Sequence, residues 1–222
     1  MSADLGDIIR VVDLVGVAVN GLLGGEIARR ERLDPIGFAV LGILSALGGG
    51  MLRGTLLQRG TPVALTDPWY LVVALVAALV AFVVPFEGRT WNAIYPSLDG
   101  LALGTWAAVG TQKALSFGLG WLPALLLGTI TAVGGGMIRD IVLARRPAFL
   151  GGNTLYATCA IIACGVAILL NGLVTAEVAV LVSAAIGAPL VVVAKARGWK
   201  LPGESAREGV RAIRRRYPRT PS

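Results

Sequence analysis

The sequence predicts an all-α membrane protein with seven transmembrane helices, arranged as two inverted three-helix repeats followed by a seventh helix. Of its 222 residues, 55% are hydrophobic and only 15% are charged, and the mean hydropathy is +0.76. Apolar stretches of about 20 residues, the length that crosses a bilayer as a helix, recur along the chain. A fixed offset of 86 residues superposes the first three stretches on the next three.

Seven spans are predicted between charged or Pro/Gly-containing breaks. The third, sixth and seventh are almost purely apolar. The others contain polar and charged residues, which inside a membrane point to function. In chain order the spans cover residues 8–27, 36–57, 69–86, 93–115, 122–143, 155–174 and 176–194.

The internal repeat needs no gap between its first and last matching residues. The matches place Asp13 on Asp99, Ser45 on Thr131, the glycines 48–50 on 134–136, Arg53 on Arg139, and Tyr70 on Tyr156. Because each copy has an odd number of spans and the linker is too short for another, the second copy enters from the opposite face. The expected units are residues 1–87, residues 88–174, the seventh helix 175–194 and a basic cytoplasmic tail, 195–222.

The net charge of +7 comes entirely from residues 195–222, which hold nine Lys/Arg and two acids. The short loops predicted on the same side of the membrane as this tail also carry most of the remaining loop cations. By the positive-inside rule, the C-terminus is expected in the cytoplasm and the N-terminus outside, in the inner (plasma) membrane.

The tail pattern predicts a short amphipathic helix at 204–217, opened by a capping box at Ser205 and Glu208. Its arginines, Arg211, Arg214 and Arg215 among them, are expected to contact anionic lipid, and moderate salt should release a tail peptide from anionic vesicles. Nucleic-acid binding is the weaker interpretation, because the basic patch directly follows a membrane span.

Composition excludes several kinds of site. The chain has no histidine, which removes imidazole bases and His metal ligands. Cys159 and Cys164 are five residues apart in an apolar run, which fits buried thiols rather than a redox or metal motif. We therefore expect no enzyme, no metal and no cofactor.

Each glycine triplet lies near the middle of its span. Glycine inside a helix costs about 1 kcal/mol relative to alanine, so three in a row predict a kink or a thinned wall that faces an aqueous path. Ser45 and Thr131 precede the triplets by about one turn. The alternative interpretation is that the small residues let neighbouring helices approach closely.

The embedded charges are predicted to pair. Inversion brings Asp13 near Arg53 at the outer end, and Asp99 near Arg139 and Asp140 at the inner end. Such pairs serve either as gates or as structural ion pairs. Lys113, at the end of the fourth span, is either an interfacial lysine or a cation that reaches into the path.

These motifs together resemble the bacterial branch of the trimeric intracellular cation (TRIC) channel family. The matching elements are Asp13, Arg29-Arg30 with Leu33-Asp34, the GGG-x-x-R motifs at 48–53 and 134–139, Asp67-Pro68 with Tyr70, Gln112-Lys113-Ala114-Leu115, and Asp140. Gly54 departs from the family, whose bacterial members commonly have an aspartate there.

The resemblance implies a homotrimer in which each protomer has its own pore for monovalent cations such as potassium, lined by spans 2 and 5, with Lys113 in gating. Related proteins are described as glycine transporters, so a secondary transporter of a small solute is the alternative function, and a scaffold without transport is a third. The expected pore-lining or gating residues are Ser45, Gly48, Gly49, Gly50, Arg53, Lys113, Thr131, Gly134, Gly135, Gly136 and Arg139. Cation selectivity follows from the resemblance alone.

Overall fold

The computed structural model describes residues 2–86, 88–150 and 155–199. Every secondary-structure element named within these ranges is a helix. The all-α prediction is confirmed. Within the described residues the elements are α1 (Ser2–Arg30), α2 (Pro35–Leu57), α3 (Val63–Thr66), α4 (Pro68–Val83), α5 (Arg89–Ser116), α6 (Trp121–Val142), a 3-10 turn (Ala148–Leu150), α7 (Tyr156–Leu170) and α8 (Ala176–Ala196).

The predicted spans correspond in order to α1, α2, α4, α5, α6, α7 and α8, and α3 is a short helix between the second and third. In the part of the chain that the structure describes, four helical segments are both long and apolar enough to cross a membrane, namely Ile9–Arg30, α2, α6 and α8. The long helix α5 is less apolar because it carries embedded charges. The chain is therefore a multi-pass membrane protein.

The third and sixth predicted spans are highly apolar, but their helices are short. α4 has 16 residues and α7 has 15, which at 1.5 Å per residue give about 24 and 22 Å of helix. The Arg29 guanidinium donates to the Ala81 and Phe82 carbonyls at 2.5 and 2.7 Å and so satisfies the end of α4. Gly172, at φ +80°, follows the end of α7.

Asp-Pro pairs start both α2 and α4. Asp34 accepts a hydrogen bond from the Gly37 amide at 2.8 Å, and Asp67 accepts one from the Trp69 amide at 3.1 Å, which satisfies amides that a helix start leaves open. Arg10 also donates to Asp67, and this hydrogen bond is the main reason why the pKa of the Asp67 carboxyl is lowered.

Small residues form the helix contacts, as is usual in membranes where helices pack by close approach. α4 buries Ala74, Ala77, Ala78 and Ala81. The equivalent positions of α7, at the offset of 86, are Ala160, Ala163, Cys164 and Ala167, and these are also buried. α1 packs against α2 and α4, α5 packs against α6, α7 and α8, and α2 crosses α6.

Candidate functional site

The two glycine triplets meet where α2 crosses α6. A Cβ atom added at Gly49 would lie closer than 3.0 Å to the Thr131 carbonyl oxygen, and one added at Gly135 would lie equally close to the Ser45 carbonyl oxygen. Gly48 and Gly134 also face backbone and side-chain atoms of the opposite helix. The first two glycines of each triplet therefore allow the backbones to touch, and neither triplet interrupts its helix.

The third glycine of each triplet faces open space instead. A Cβ at Gly50 would lie 3.9 Å from Arg53 Nη2, and one at Gly136 would lie 3.6 Å from Arg139 Nη2, with nothing nearer. Gly50 and Gly136 each line a polar cavity. The third glycine of each triplet thus borders a cavity, and in the first repeat Gly49 borders it as well.

The first cavity, here the Asp13 cavity, is formed mainly by the first repeat. Asp13 Oδ2 accepts a hydrogen bond from the Tyr70 hydroxyl at 2.6 Å, and Asp13 Oδ1 accepts one from Trp106 Nε1 at 2.6 Å. The cavity encloses about 450 Å³, part of it open to the outside, and is lined by Asp13, Ala46, Gly50, Arg53, Tyr70, Trp106 and Thr131, among others.

The predicted Asp13–Arg53 ion pair is absent among the described residues. Arg53 is 9% exposed and lines the same cavity. However, both carboxylate oxygens of Asp13 are engaged by Tyr70 and Trp106, and no described ion pair within 4 Å includes Arg53. Arg53 lies near enough to Asp13 for the two opposite charges to attract. The direct contacts of the carboxylate nevertheless go to neutral donors, which the charge-based prediction did not consider.

The second cavity, here the Asp99 cavity, contains the equivalent carboxylate. Asp99 is 2% exposed. Its Oδ1 accepts a hydrogen bond from the Tyr156 hydroxyl at 2.9 Å, and its Oδ2 accepts one from Lys195 Nζ at 2.8 Å. The cavity has a volume of about 600 Å³, part of it open to the outside, and is lined by Asn20, Tyr95, Asp99, Trp106, Gly136, Arg139, Asp140, Tyr156 and Lys195, among others.

The predicted Asp99–Arg139 ion pair is replaced by two others. Arg139 donates to Asp140 Oδ1 from Nη2 at 2.8 Å and from Nε at 3.0 Å, and Lys195 pairs with Asp99. The sequence interpretation assigned Lys195 to the basic tail, but α8 continues to Ala196 and directs this lysine into the cavity. The prediction that Asp140 lies beside Arg139 and Asp99 agrees with the cavity lining.

The two cavities share a pattern that follows the repeat. The Asp13–Tyr70 and Asp99–Tyr156 hydrogen bonds join equivalent residues, 57 positions apart in each copy. Trp106 breaks this symmetry, because its counterpart in the first copy is Asn20. Trp106 lines both cavities. Sequence reasoning missed it, although an indole in the middle of a helix that carries embedded charge is a signal distinct from aromatics at span ends.

Ser45 and Thr131 are buried at the crossing, 1% and 2% exposed. Thr131 Oγ1 donates to the Leu127 carbonyl at 2.6 Å, and Thr131 lines the Asp13 cavity. The Ser45 hydroxyl has no hydrogen-bond partner in the described part of the chain. It faces Gly24, where an added Cβ would lie 2.7 Å from Ser45 Oγ.

Lys113 lies in the last turn of α5 and is not among the residues that line either cavity. It lies near enough to Arg53 for the two positive charges to repel. Within residues 2–86, 88–150 and 155–199, no cluster of three or more His, Cys, Asp or Glu residues could hold a metal ion. The predicted tail helix with Arg211, Arg214 and Arg215 lies outside the described residues.

Comparison with known proteins identifies membrane relatives. Residues 10–85 and 97–172 match the family described as Glycine transporter. The UPF0126 inner membrane protein YadS of Escherichia coli (strain K12) is 39% identical over 154 residues, which cover 68% of this chain and 73% of YadS. These matches agree with a multi-pass protein of the inner membrane.

Solved structures match over most of the described chain. A structure that concerns conductance through TRIC cation channels is 32% identical, with a TM-score of 0.80, over 87% of this chain and 96% of that chain. The TRIC orthologue from Rhodobacter sphaeroides is 25% identical, with a TM-score of 0.77, over 86% of this chain and 98% of that chain. Relatives that are membrane proteins and channels favour the prediction that this chain is not an enzyme.

Proposed function

Because the chain belongs to the TRIC channel family and matches the family described as Glycine transporter, we propose that it is a channel for monovalent cations, potassium among them. The observation that carries this proposal is the pair of polar cavities on either side of the α2–α6 crossing. Each cavity contains one carboxylate held by a tyrosine hydroxyl. Ion channels line their paths with carbonyl oxygens or charged side chains that can replace part of the hydration shell of an ion.

We assign the path to an inverted repeat of residues 1–87 and 88–174, with the seventh helix and the tail as additions. The recurrence of buried residues and Asp–Tyr hydrogen bonds at the offset of 86 supports this arrangement. The lysine and arginine bias supports an N-terminus outside and a C-terminus in the cytoplasm. With this orientation the Asp13 cavity faces outward and the Asp99 cavity faces the cytoplasm.

Within this path the residues have different proposed roles. Gly50, Gly136, Arg53 and Arg139 line it, and the crossing, with Ser45, Thr131 and the paired glycines Gly48, Gly49, Gly134 and Gly135, forms its narrowest part. Asp13, Asp99 and Asp140 supply the negative charge. Lys113 is proposed as a gating residue, because its charge lies near that of Arg53.

The protein is proposed to act as a homotrimer without a cofactor. The Rhodobacter sphaeroides orthologue that it matches is described as a trimeric intracellular cation channel. Large apolar side chains on α4, such as Trp69, Leu79 and Val83, are exposed in the single chain and offer surface to lipid or to neighbouring copies.

Planar-bilayer recording of the purified protein in a potassium gradient tests this function. We expect unitary currents that reverse near the potassium equilibrium potential, with empty proteoliposome fusions as the control. Absence of currents together with saturable glycine uptake into vesicles would contradict the channel. That result would support the alternative, a transporter, which the family description and the carboxylate and guanidinium groups of the Asp99 cavity favour.

The basic tail is proposed to bind anionic lipid through Arg211, Arg214 and Arg215, without binding nucleic acid. Co-sedimentation of a peptide of residues 200–222 with vesicles that contain anionic lipid should fall as salt rises from low to moderate concentration, because salt screens exposed charges. Equal binding to neutral and anionic vesicles would contradict the proposal.

A further inference from the structure

The ammonium group of Lys195 lies in a small site built from one carboxylate and two aromatic rings. Lys195 Nζ is 2.8 Å from Asp99 Oδ2. It also lies 4.9 Å from the ring centroid of Tyr95 and 5.6 Å from that of Tyr156. The Tyr156 hydroxyl donates to the other oxygen of Asp99, which fixes the carboxylate against the rings.

This set of groups matches the chemistry of a monovalent cation. Aromatic faces attract cations within about 6 Å of the ring centroid. A buried carboxylate needs a compensating positive charge, because an unpaired charge in low dielectric is strongly unfavourable. Arg139 contributes two hydrogen bonds to Asp140, so within the described residues Lys195 is the cation that pairs with Asp99.

The Asp13 cavity shows what the site is like without such a lysine. Its carboxylate has the same tyrosine partner, but the second oxygen accepts a hydrogen bond from the neutral indole of Trp106. Lys195 belongs to α8, which lies outside the repeat and packs against α5. The cation at Asp99 is therefore an addition to the repeated architecture, supplied by a separate helix.

We propose that Asp99, Tyr95 and Tyr156 form a binding site for a free monovalent cation, and that Lys195 is a tethered competitor that occupies this site. The lysine side chain is 24% exposed and comes from the last turn of α8. Its flexible four-carbon stem allows the ammonium to leave the site for water while the helix stays in place. In a channel of the proposed orientation, Lys195 then limits cation occupancy at the cytoplasmic side.

The test is the effect of potassium on the melting temperature of the purified, full-length Lys195→Met variant. Potassium chloride is titrated against N-methyl-D-glucamine chloride at constant ionic strength, because that cation is too large for the site. We expect saturable stabilisation of the variant. We expect half-saturation in the unaltered protein to need about tenfold more potassium, as when Lys195 fills the site for roughly 90% of the time.

Two further variants act as controls. Arg197→Met removes an exposed charge that lies over Trp199 at the same helix end and should leave the potassium response unchanged. Asp99→Asn combined with Lys195→Met removes the carboxylate and should abolish the response. A folded Lys195→Met protein that melts at the same temperature in both salts would overturn the proposal.

If Lys195→Met is not recovered folded in N-methyl-D-glucamine salts, extraction in potassium or methylammonium chloride becomes the test. Recovery in these salts alone supports the site, and failure in all of them contradicts it. The inference rests on the proposed function only for its effect on conduction. Missing bilayer currents with intact potassium binding would remove the channel alone, whereas missing binding with intact currents would remove the tethered competitor alone.

Discussion

Replacing Gly135 with alanine is expected to separate α2 from α6 and to unfold much of the protein. The new Cβ would lie closer than 3.0 Å to the Ser45 carbonyl oxygen, a backbone atom that cannot rotate away. Overpacking in a tight core usually costs about 1–3 kcal/mol, and a backbone clash belongs at the upper end or beyond. Thermal melting in detergent, followed by size-exclusion chromatography, measures the loss.

Gly136→Ala is the matched control, one residue further along the same helix. Its Cβ would lie 3.6 Å from a flexible guanidinium, in ordinary contact, so the folded protein should survive. Gly49→Ala should behave like Gly135→Ala, because the crossing is reciprocal. Equal melting temperatures for Gly135→Ala and the unaltered protein would show that the crossing is not as close as the geometry indicates.

Exchanging the charges of Asp99 and Lys195 is expected to restore most of the stability that either single change removes. Breaking a buried ion pair from one side costs about 3–5 kcal/mol, because it leaves an uncompensated charge. Asp99→Lys and Lys195→Asp each place two like charges in the cavity. The double variant re-forms an opposite pair in the same place, and melting temperatures in a double-mutant cycle report the coupling.

The control for this exchange is Asp99→Arg combined with Arg139→Asp. These residues line one cavity, but their ion-pair partners are Lys195 and Asp140. This second exchange should therefore give no recovery. Recovery with Arg139 and none with Lys195 would show that the sequence-based pairing describes the folded protein better than the structure does.

Much of the architecture could be predicted because the sequence contains the same three-helix pattern twice. Apolar length located the helices, and the offset of 86 identified Asp13 with Asp99 and Tyr70 with Tyr156. The ends of the helices were harder to predict from the sequence. Hydropathy continues past Val83, whereas α4 stops there, with hydrogen bonds from Arg29, 52 and 53 positions away in sequence, satisfying its last carbonyls.

The partners of the embedded charges could not be predicted in the same way. Symmetry arguments consider only residues present in both copies, and Lys195 lies on α8, which has no counterpart. Trp106 differs from Asn20 at the equivalent position. Comparison of the two copies therefore could not identify Trp106 as the neutral donor to Asp13. The predicted ion pairs joined opposite charges at the same expected depth in the membrane. In the folded protein, the partner of each carboxylate is a donor whose side chain is long enough and correctly oriented to form a hydrogen bond with it.

The short helices α4 and α7 have a consequence for the surrounding lipid. Their helical lengths, about 24 and 22 Å, fall short of a hydrocarbon layer of about 30 Å. Hydrophobic mismatch of this kind is relieved by local thinning of the bilayer or by association between copies, at fractions of a kcal/mol per Å. Because the two helices hold equivalent places in the repeat, each half of the protein favours a thin bilayer, and lipid chain length becomes a variable that acts on its assembly.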